Sequence, residues 1–205
     1  DLAYECATDF TTIIQTIKDA NCDILLSSLL GFQLSGMWNN VQDLGYKPKA
    51  VILSKGMHFG ADILTLQNSA GECTAYNTCT ECQWTYQYPY TSSLLGQTAE
   101  ELSMDFFQTT GEAPDCTIGW DFVFFDVIDD VLKRVDKIDS KAIVEAIKAT
   151  DLDTIYGHIT FNDEHVGYVP ITLGQWVPNE QFGIYSAIVS ANTVPEAKDI
   201  VVPGK

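Results

Sequence analysis

Hydrophobic residues in the first half of the chain follow two different periods. Two segments carry them at helical spacing, and both sets fall on a single helix face. The first set is Phe10, Ile13, Ile14 and Ile17; the second is Leu34, Met37, Trp38, Val41 and Leu44. Asp9 suits the N-cap of the first helix, and Gly45 suits the left-handed end of the second. Residues 24–26 and 50–53 are short apolar runs typical of buried parallel strands. The pattern therefore predicts alternating helices and strands and an α/β fold.

The middle of the chain lacks a clear period. Residues 71–82 contain three cysteines and no hydrophobic repeat, so we expect a surface excursion there. Residues 84–90 alternate aromatic with polar side chains, which we interpret as a connector between lobes.

The second half is predicted to be mainly helical, over residues 98–109, 118–135 and 140–149. The middle helix is apolar on nearly every side between residues 122 and 128, a pattern that requires burial on several faces. Few strands are predicted nearby, so we expect a part of the protein outside residues 1–205 to cover this helix. Residues 157–161 and 168–176 are predicted strands, forming either a β-hairpin or a return between lobes.

The charge of the chain excludes some classes of partner. The 205 residues include 28 acidic and 11 basic side chains, which gives a net charge of −17. Such a field repels nucleic acid and anionic lipid headgroups, so we expect neither as a partner. The 46% of hydrophobic residues is enough for a buried core.

The cysteines indicate an oxidising compartment. Six cysteines are many for a cytosolic chain, and three of them lie in the ten residues from Cys73 to Cys82. We expect a structural disulfide within this local cluster, with the full pairing left open. Reduced thiols, or half of a metal site at Cys79 and Cys82, are the alternatives.

Catalytic motifs are missing from the sequence. It contains no nucleophile elbow, no phosphate-binding loop, no dinucleotide fingerprint and no zinc-protease motif. We therefore expect a protein that is not an enzyme and that uses no cofactor and no metal. A cysteine-dependent enzyme, with Cys116 or Cys82 near His58, is an alternative that the sequence leaves open.

Several stretches occur in an order that resembles one known family. They are Asp9-Phe10, Ala20-Asn21-Cys22-Asp23, Gly45-Tyr46-Lys47-Pro48, Gly157-His158-Ile159-Thr160-Phe161-Asn162 and Gly174-Gln175-Trp176. The family is the type I periplasmic binding proteins of ABC transporters, of the leucine/isoleucine/valine-binding class. The resemblance runs from about Tyr4 to about Trp176.

The resemblance implies a specific domain organisation. Such proteins have two doubly wound α/β lobes with the ligand in the cleft at the carboxyl ends of the strands. On that plan, residues 1–84 are part of the ligand-binding second lobe and 85–156 are the last helices of the first lobe. Residues 157–184 return to the second lobe and 185–205 form a C-terminal tail. Most of the first lobe is absent, so the fold is incomplete in this chain.

The resemblance also implies a function and partners. We expect a periplasmic or extracellular substrate-binding protein, which can carry a lipid anchor and delivers a small organic ligand to a membrane permease. The missing N-terminal part of the same protein is a second expected partner. A ligand-sensing receptor domain of the same fold is the alternative.

Five residues are predicted to bind the ligand. Ser28 and Leu29 follow the first strand, Lys55 and His58 follow the second, and Trp84 could stack on a ring. In the amino-acid binders an acidic residue after the second strand pairs with the ligand ammonium; here Lys55 stands in the matching stretch. The sequence thus favours a carboxylate ligand over a zwitterion. The alternatives are a solvated Lys55, a turn-capping His58 and a Trp84 that only packs.

Overall fold

The computed structural model describes residue 7, residues 9–169 and residues 171–190. In these residues the helices are α1 (Thr11–Asp19), α2 (Gly31–Asp43), α3 (Gly60–Leu64), α4 (Ala99–Thr110), α5 (Cys116–Arg134) and α6 (Ser140–Lys148). The strands are β1 (Ile24–Ser27), β2 (Ala50–Leu53), β3 (Cys79–Cys82), β4 (Asp151–Thr154), β5 (Gly157–Thr160), β6 (Thr172–Asn179) and β7 (Gly183–Ser190). The predicted α/β class is confirmed.

Five of the strands form one sheet, in the order β1-β2-β3-β6-β7. Strands β1 and β2 are parallel, with Ile24 opposite Ala50, and β2 and β3 are parallel, with Ile52 opposite Cys79. The predicted helix faces build the core beside this sheet: Ile14, Leu34 and Trp38 are all buried there. Parallel strands joined through helices place their carboxyl ends at one edge, where ligands bind in α/β proteins.

The helix ends differ in one respect from the sequence prediction. Gly45 has a φ of +59°, as the predicted left-handed end of α2 requires. The N-cap of α1 is Phe10 rather than Asp9. The Asp9 carboxylate still accepts a hydrogen bond from the Thr11 N–H at 2.9 Å, so it serves the first turn from one residue further out.

Contacts divide the chain into two compact units. Unit 1 comprises the described residues up to Glu81 together with residues 173–189, and unit 2 comprises the described residues between 82 and 172 together with residue 190. Unit 2 holds α4, α5 and α6 and a two-stranded antiparallel sheet of β4 and β5. The lobe assignments implied by the resemblance stay predictions.

The structure corrects one sequence prediction about strands and excludes one of two alternatives for another. Residues 71–82 were expected to be a surface excursion, yet they contain β3, the middle strand of the large sheet. Thr80 in β3 and Thr78 just before it are buried, and small polar residues at buried positions leave no hydrophobic period to detect. Of the two alternatives for residues 157–176, the hairpin is wrong, because β5 pairs with β4 whereas β6 joins the five-stranded sheet. The return between lobes stays a prediction.

The predicted local disulfide is absent. No disulfide joins Cys73, Cys79 and Cys82 to one another, and Cys6 lies outside the described residues. The reason is geometric: Cys79 and Cys82 begin and end one strand, so their side chains project from opposite faces. Three strand steps separate their Cα atoms by about 10 Å, beyond the reach of a disulfide. Burial raises the pKa of the Cys79 thiol, which keeps it protonated.

Candidate functional site

The carboxyl ends of β1 and β2 bring two loops into contact within unit 1. The Ser54 N–H donates to the Ser27 carbonyl at 2.9 Å, directly after both strands end. Gly56 lies so close to the next loop that a Cβ at this position would clash with the backbone carbonyl of Leu29. Only glycine fits there. The backbone thus fixes the loop after β2 against the loop after β1.

Glu81, on β3, ties the loop after β2 to the neighbouring strand. Its Oε1 lies 2.6 Å from His58 Nε2 and accepts the Lys55 backbone N–H at 3.1 Å. The Ser54 hydroxyl also interacts with this carboxylate and helps to lower its pKa. The His58 and Glu81 side chains are only 14% and 26% exposed, so the pair is shielded from most of the solvent. One carboxylate therefore organises three residues of the loop.

The electrostatics of the loop favour an ionised Glu81. Burial alone would raise the pKa of Glu81, but hydrogen bonds from Ser54, His58 and the Lys55 backbone outweigh it, and the pKa is lowered. The neighbouring Asp62 behaves differently. Burial raises the pKa of Asp62, and the nearby His58 and a backbone hydrogen bond from Phe59 offset only part of this.

Lys55 adopts an unusual backbone conformation in this loop. Its φ is +66°, in the left-handed region, which costs a residue with a Cβ about 1–2 kcal/mol. Hydrogen bonds hold the backbone on both sides, from Lys55 to Glu81 and from the Gly56 N–H to the Ser54 carbonyl at 2.8 Å. The Lys55 side chain is exposed. Further along the loop, the Trp176 indole donates to the Met57 carbonyl at 3.1 Å.

Four of the five predicted ligand residues meet at this edge. Ser28 and Lys55 are exposed, while Leu29 and His58 are partly buried. The fifth, Trp84, belongs to unit 2 and is 3% exposed. Its indole donates to the Ile155 carbonyl at 3.0 Å, and its ring lies against Gly119, where a Cβ would clash. Trp84 thus has the environment of a core residue, the packing alternative left open by the sequence.

Sequence reasoning missed Glu81. The residue lies between Cys79 and Cys82, in a segment whose cysteine spacing indicates a disulfide or a metal site rather than a ligand site. The available signal was a charged residue inside a strand, but only the pairing of β3 with β2 shows that it reaches Lys55 and His58. An acid therefore lies beside Lys55, and the ligand class favoured by the sequence stays a prediction.

Unit 1 also contains a cavity away from this edge. It measures about 570 Å³ and lies where β2 and β3 begin, lined among others by Tyr46, Lys47, Lys49 and Gln175. The Lys49 ammonium is 2.9 Å from the Asp23 carboxylate. This cavity is a competing location for a small anionic ligand and can be tested separately through Lys47.

Comparison with known proteins identifies the family. A family model described as periplasmic binding protein matches residues 4–181. The chain belongs to the periplasmic binding protein family. This confirms the family inferred from the sequence motifs. A search of curated proteins finds no match.

Solved structures of periplasmic binding proteins share the fold at low sequence identity. One is the leucine-, isoleucine-, valine-, threonine- and alanine-binding protein from Brucella ovis in its closed conformation, with 17% identity and a TM-score of 0.70. It is matched over 95% of this chain and 49% of its own length. A leucine-binding protein from Thermotoga maritima has 12% identity and a TM-score of 0.66, with 88% and 48% covered.

A third solved structure carries an aromatic ligand. It is a solute-binding protein of an ABC transporter from Rhodopseudomonas palustris in complex with 3,4-dihydroxybenzoic acid, with 16% identity and a TM-score of 0.60. It is matched over 88% of this chain and 49% of its own length. The chain thus spans about half the length of these three structures, and the type I periplasmic-binding-protein fold is confirmed over that half.

Proposed function

We propose that the protein containing this chain is a solute-binding protein of an ABC transporter. It binds a small organic carboxylate at the edge of unit 1 formed by Ser28, Leu29, Lys55 and His58. The observation that carries the proposal is Lys55: it is held in a strained conformation with its side chain exposed at the carboxyl ends of parallel strands. Strained residues with exposed functional groups are typical of ligand sites.

The ligand class follows from the groups at this edge. An ammonium from Lys55 and a hydroxyl from Ser28 suit a carboxylate, and Leu29 offers apolar surface beside them. Glu81 adds an ionised acid behind Lys55, so a free amino acid remains a member of the class. By their names, similar structures bind leucine and related amino acids or hold a hydroxylated benzoic acid. Aliphatic amino acids and aromatic carboxylates are therefore the two classes of ligand to test.

The remainder of the protein and a permease are the proposed partners. Phe124, Phe125 and Ile128 on α5 are 65%, 54% and 51% exposed, an apolar surface that soluble proteins rarely leave open. We propose that the missing N-terminal part of the same protein covers it. No helix within the described residues is long and apolar enough to cross a membrane. We place the protein in the periplasm or outside the cell, next to a membrane permease.

A thermal-shift panel on the complete protein tests the function. A ligand that binds only the folded state raises Tm, by about 3 °C or more at a hundredfold excess over Kd. We expect a shift with benzoate, 4-hydroxybenzoate or L-leucine and no chemical change in the ligand. Absence of a shift with every carboxylate in the panel contradicts the proposal, and product formation replaces it with the enzyme alternative.

A matched pair of variants locates the ligand. Lys55→Met should weaken binding of the carboxylate by about 1.5–3 kcal/mol, the value of a hydrogen bond to a charged group. Lys47→Met removes the same charge at the competing cavity and should leave the affinity unchanged. The reverse pattern in isothermal titration calorimetry assigns the ligand to the cavity of unit 1 and refutes the proposed site.

A further inference from the structure

Glu81 connects a strained residue to the middle of the sheet. Three groups of the loop after β2 bind its carboxylate: the Ser54 hydroxyl, the Lys55 backbone N–H and the His58 ring. Lys55 itself has a φ of +66°. A residue with a Cβ keeps such a conformation only where its surroundings impose it. Of these three bonds, the one to the Lys55 N–H acts directly on the strained residue.

We propose that Glu81 is a positioning residue of the ligand site, which holds Lys55 in its left-handed conformation and so presents the Lys55 ammonium to the ligand. The inference rests on the proposed function. Without the carboxylate, the backbone of Lys55 relaxes toward negative φ, and the direction in which its side chain leaves the loop changes with it. Glu81 then affects the ligand mainly through Lys55, with a smaller part through His58, whose ring it also binds.

Glu81 has two conceivable roles, positioning Lys55 or contacting the ligand directly, and its existing bonds favour the first. Glu81 Oε1 already serves both His58 and Lys55, and the side chain is 26% exposed. Among the described residues, the charged groups beside this loop include Lys55 itself and Asp62, which interacts with His58. In the alternative role, Glu81 pairs with the ammonium of an amino acid. The two roles differ for benzoate, which has a carboxylate and no ammonium.

Titration calorimetry of the complete protein with benzoate and L-leucine tests the proposal. For each probe that the wild type binds, Glu81→Ala should weaken binding by about tenfold or more. In a Lys55→Met background the same substitution should weaken binding by a clearly smaller factor than in the wild type, because the part of its effect that passes through Lys55 is already lost. Asp43→Asn, at the exposed end of α2, controls for the lost charge and should bind as the wild type does.

Three results would overturn the positioning role of Glu81, and a fourth would overturn the proposed function as well. Equal losses in the wild-type and Lys55→Met backgrounds, a loss confined to L-leucine, or unchanged binding each overturn the positioning role while leaving the solute-binding function intact. A wild type that binds no carboxylate of the panel overturns the proposed function and this inference together.

A milder variant covers the case in which Glu81→Ala does not fold. Glu81→Gln keeps an oxygen that can accept the Lys55 N–H but removes the charge. It should show faster hydrogen exchange at the Lys55 amide and about threefold or more weaker binding. Unchanged exchange and unchanged affinity in this variant contradict the positioning role.

Discussion

Glu81 and Gly56 show how single residues shape the candidate site. Glu81 accepts hydrogen bonds from groups on Ser54, Lys55 and His58, and its lowered pKa indicates that the fold favours its ionised form. Gly56 lets the loop after β2 approach the carbonyl of Leu29 more closely than any other residue could. At this scale, both residues determine the site by fixing the backbone of the loop after β2.

The lowered pKa of Glu81 predicts a pH-dependent contribution to stability. An acid whose pKa is depressed by folding stabilises the protein above its unfolded pKa, near the ordinary value of 4.5, and this contribution is lost as the pH falls through the folded pKa. Urea unfolding of wild type and Glu81→Gln should therefore show a larger stability difference at pH 7 than at pH 3. An equal difference at both pH values contradicts the ionised role of Glu81.

Gly56→Ala should destabilise unit 1 by about 1–3 kcal/mol, because the new methyl group meets the Leu29 backbone and neither loop can move freely. Gly31→Ala is the matched control: a Cβ at Gly31 meets its nearest neighbour at 3.8 Å, an ordinary contact, so the change should cost nothing. Chemical denaturation measures both. A Gly56→Ala protein as stable as the control means that the two loops are not in fixed contact.

At the scale of elements, α5 depends on one buried carboxylate. Asp126 is fully buried and accepts hydrogen bonds from the Ser92 hydroxyl at 2.6 Å, the Leu94 N–H at 3.0 Å and the Ile155 N–H at 2.9 Å. Hydrogen bonds from two backbone donors fix the segments before α4 and after β4 on the helix. Asp126 therefore connects α5 to two other segments of unit 2.

Asp126→Ala should destabilise unit 2 by about 3 kcal/mol or more, since it leaves two backbone N–H groups and a hydroxyl buried without an acceptor. Asp121→Ala, an exposed acid on the same helix, should change stability by less than about 0.5 kcal/mol. Thermal unfolding followed by circular dichroism compares the two variants. Similar Tm values would show that the Asp126 network contributes little.

The elements differ in how far the sequence could predict them. Helices α1 and α2 have apolar residues on one face, and β2 is a continuous apolar run. These patterns predict the positions of all three elements. Strand β3 could not be predicted, because its buried positions are Thr80 and Cys82 and its neighbours in the sheet, β2 and β6, come from distant parts of the chain. Glu81 could not be predicted for the same reason. Its partners His58 and Lys55 lie 23 and 26 residues away in the sequence, and only the strand order brings them into contact.

At the scale of the whole molecule, two apolar surfaces are exposed within the part of the chain that the structure describes. One is the α5 face with Phe124 and Phe125; the other lies on the edge strand β1, where Ile24 and Leu26 are 61% and 69% exposed. Parallel sheets are normally covered on both faces. The chain spans about half the length of similar structures, which supports the proposal that the rest of the protein covers both surfaces.

This proposal predicts a difference between the 205-residue chain and the complete protein. Phe124→Ala should cost less than about 1 kcal/mol in the chain alone, where the ring is exposed, and about 3–5 kcal/mol in the complete protein, where the missing part buries it. Leu102→Ala, buried in α4, should cost the same in both. Equal small effects of Phe124→Ala in the two proteins contradict a covered α5 face.

The most direct test of the central claim is a crystal structure of the complete protein with the tightest carboxylate of the panel. The account predicts that the ligand carboxylate lies within hydrogen-bonding distance, about 3 Å, of the Lys55 ammonium, with Ser28, Leu29 and His58 around it. Glu81 should keep its bonds to Lys55 and His58. A ligand in the cavity beside Lys47, or one that places an ammonium against Lys55, contradicts the account.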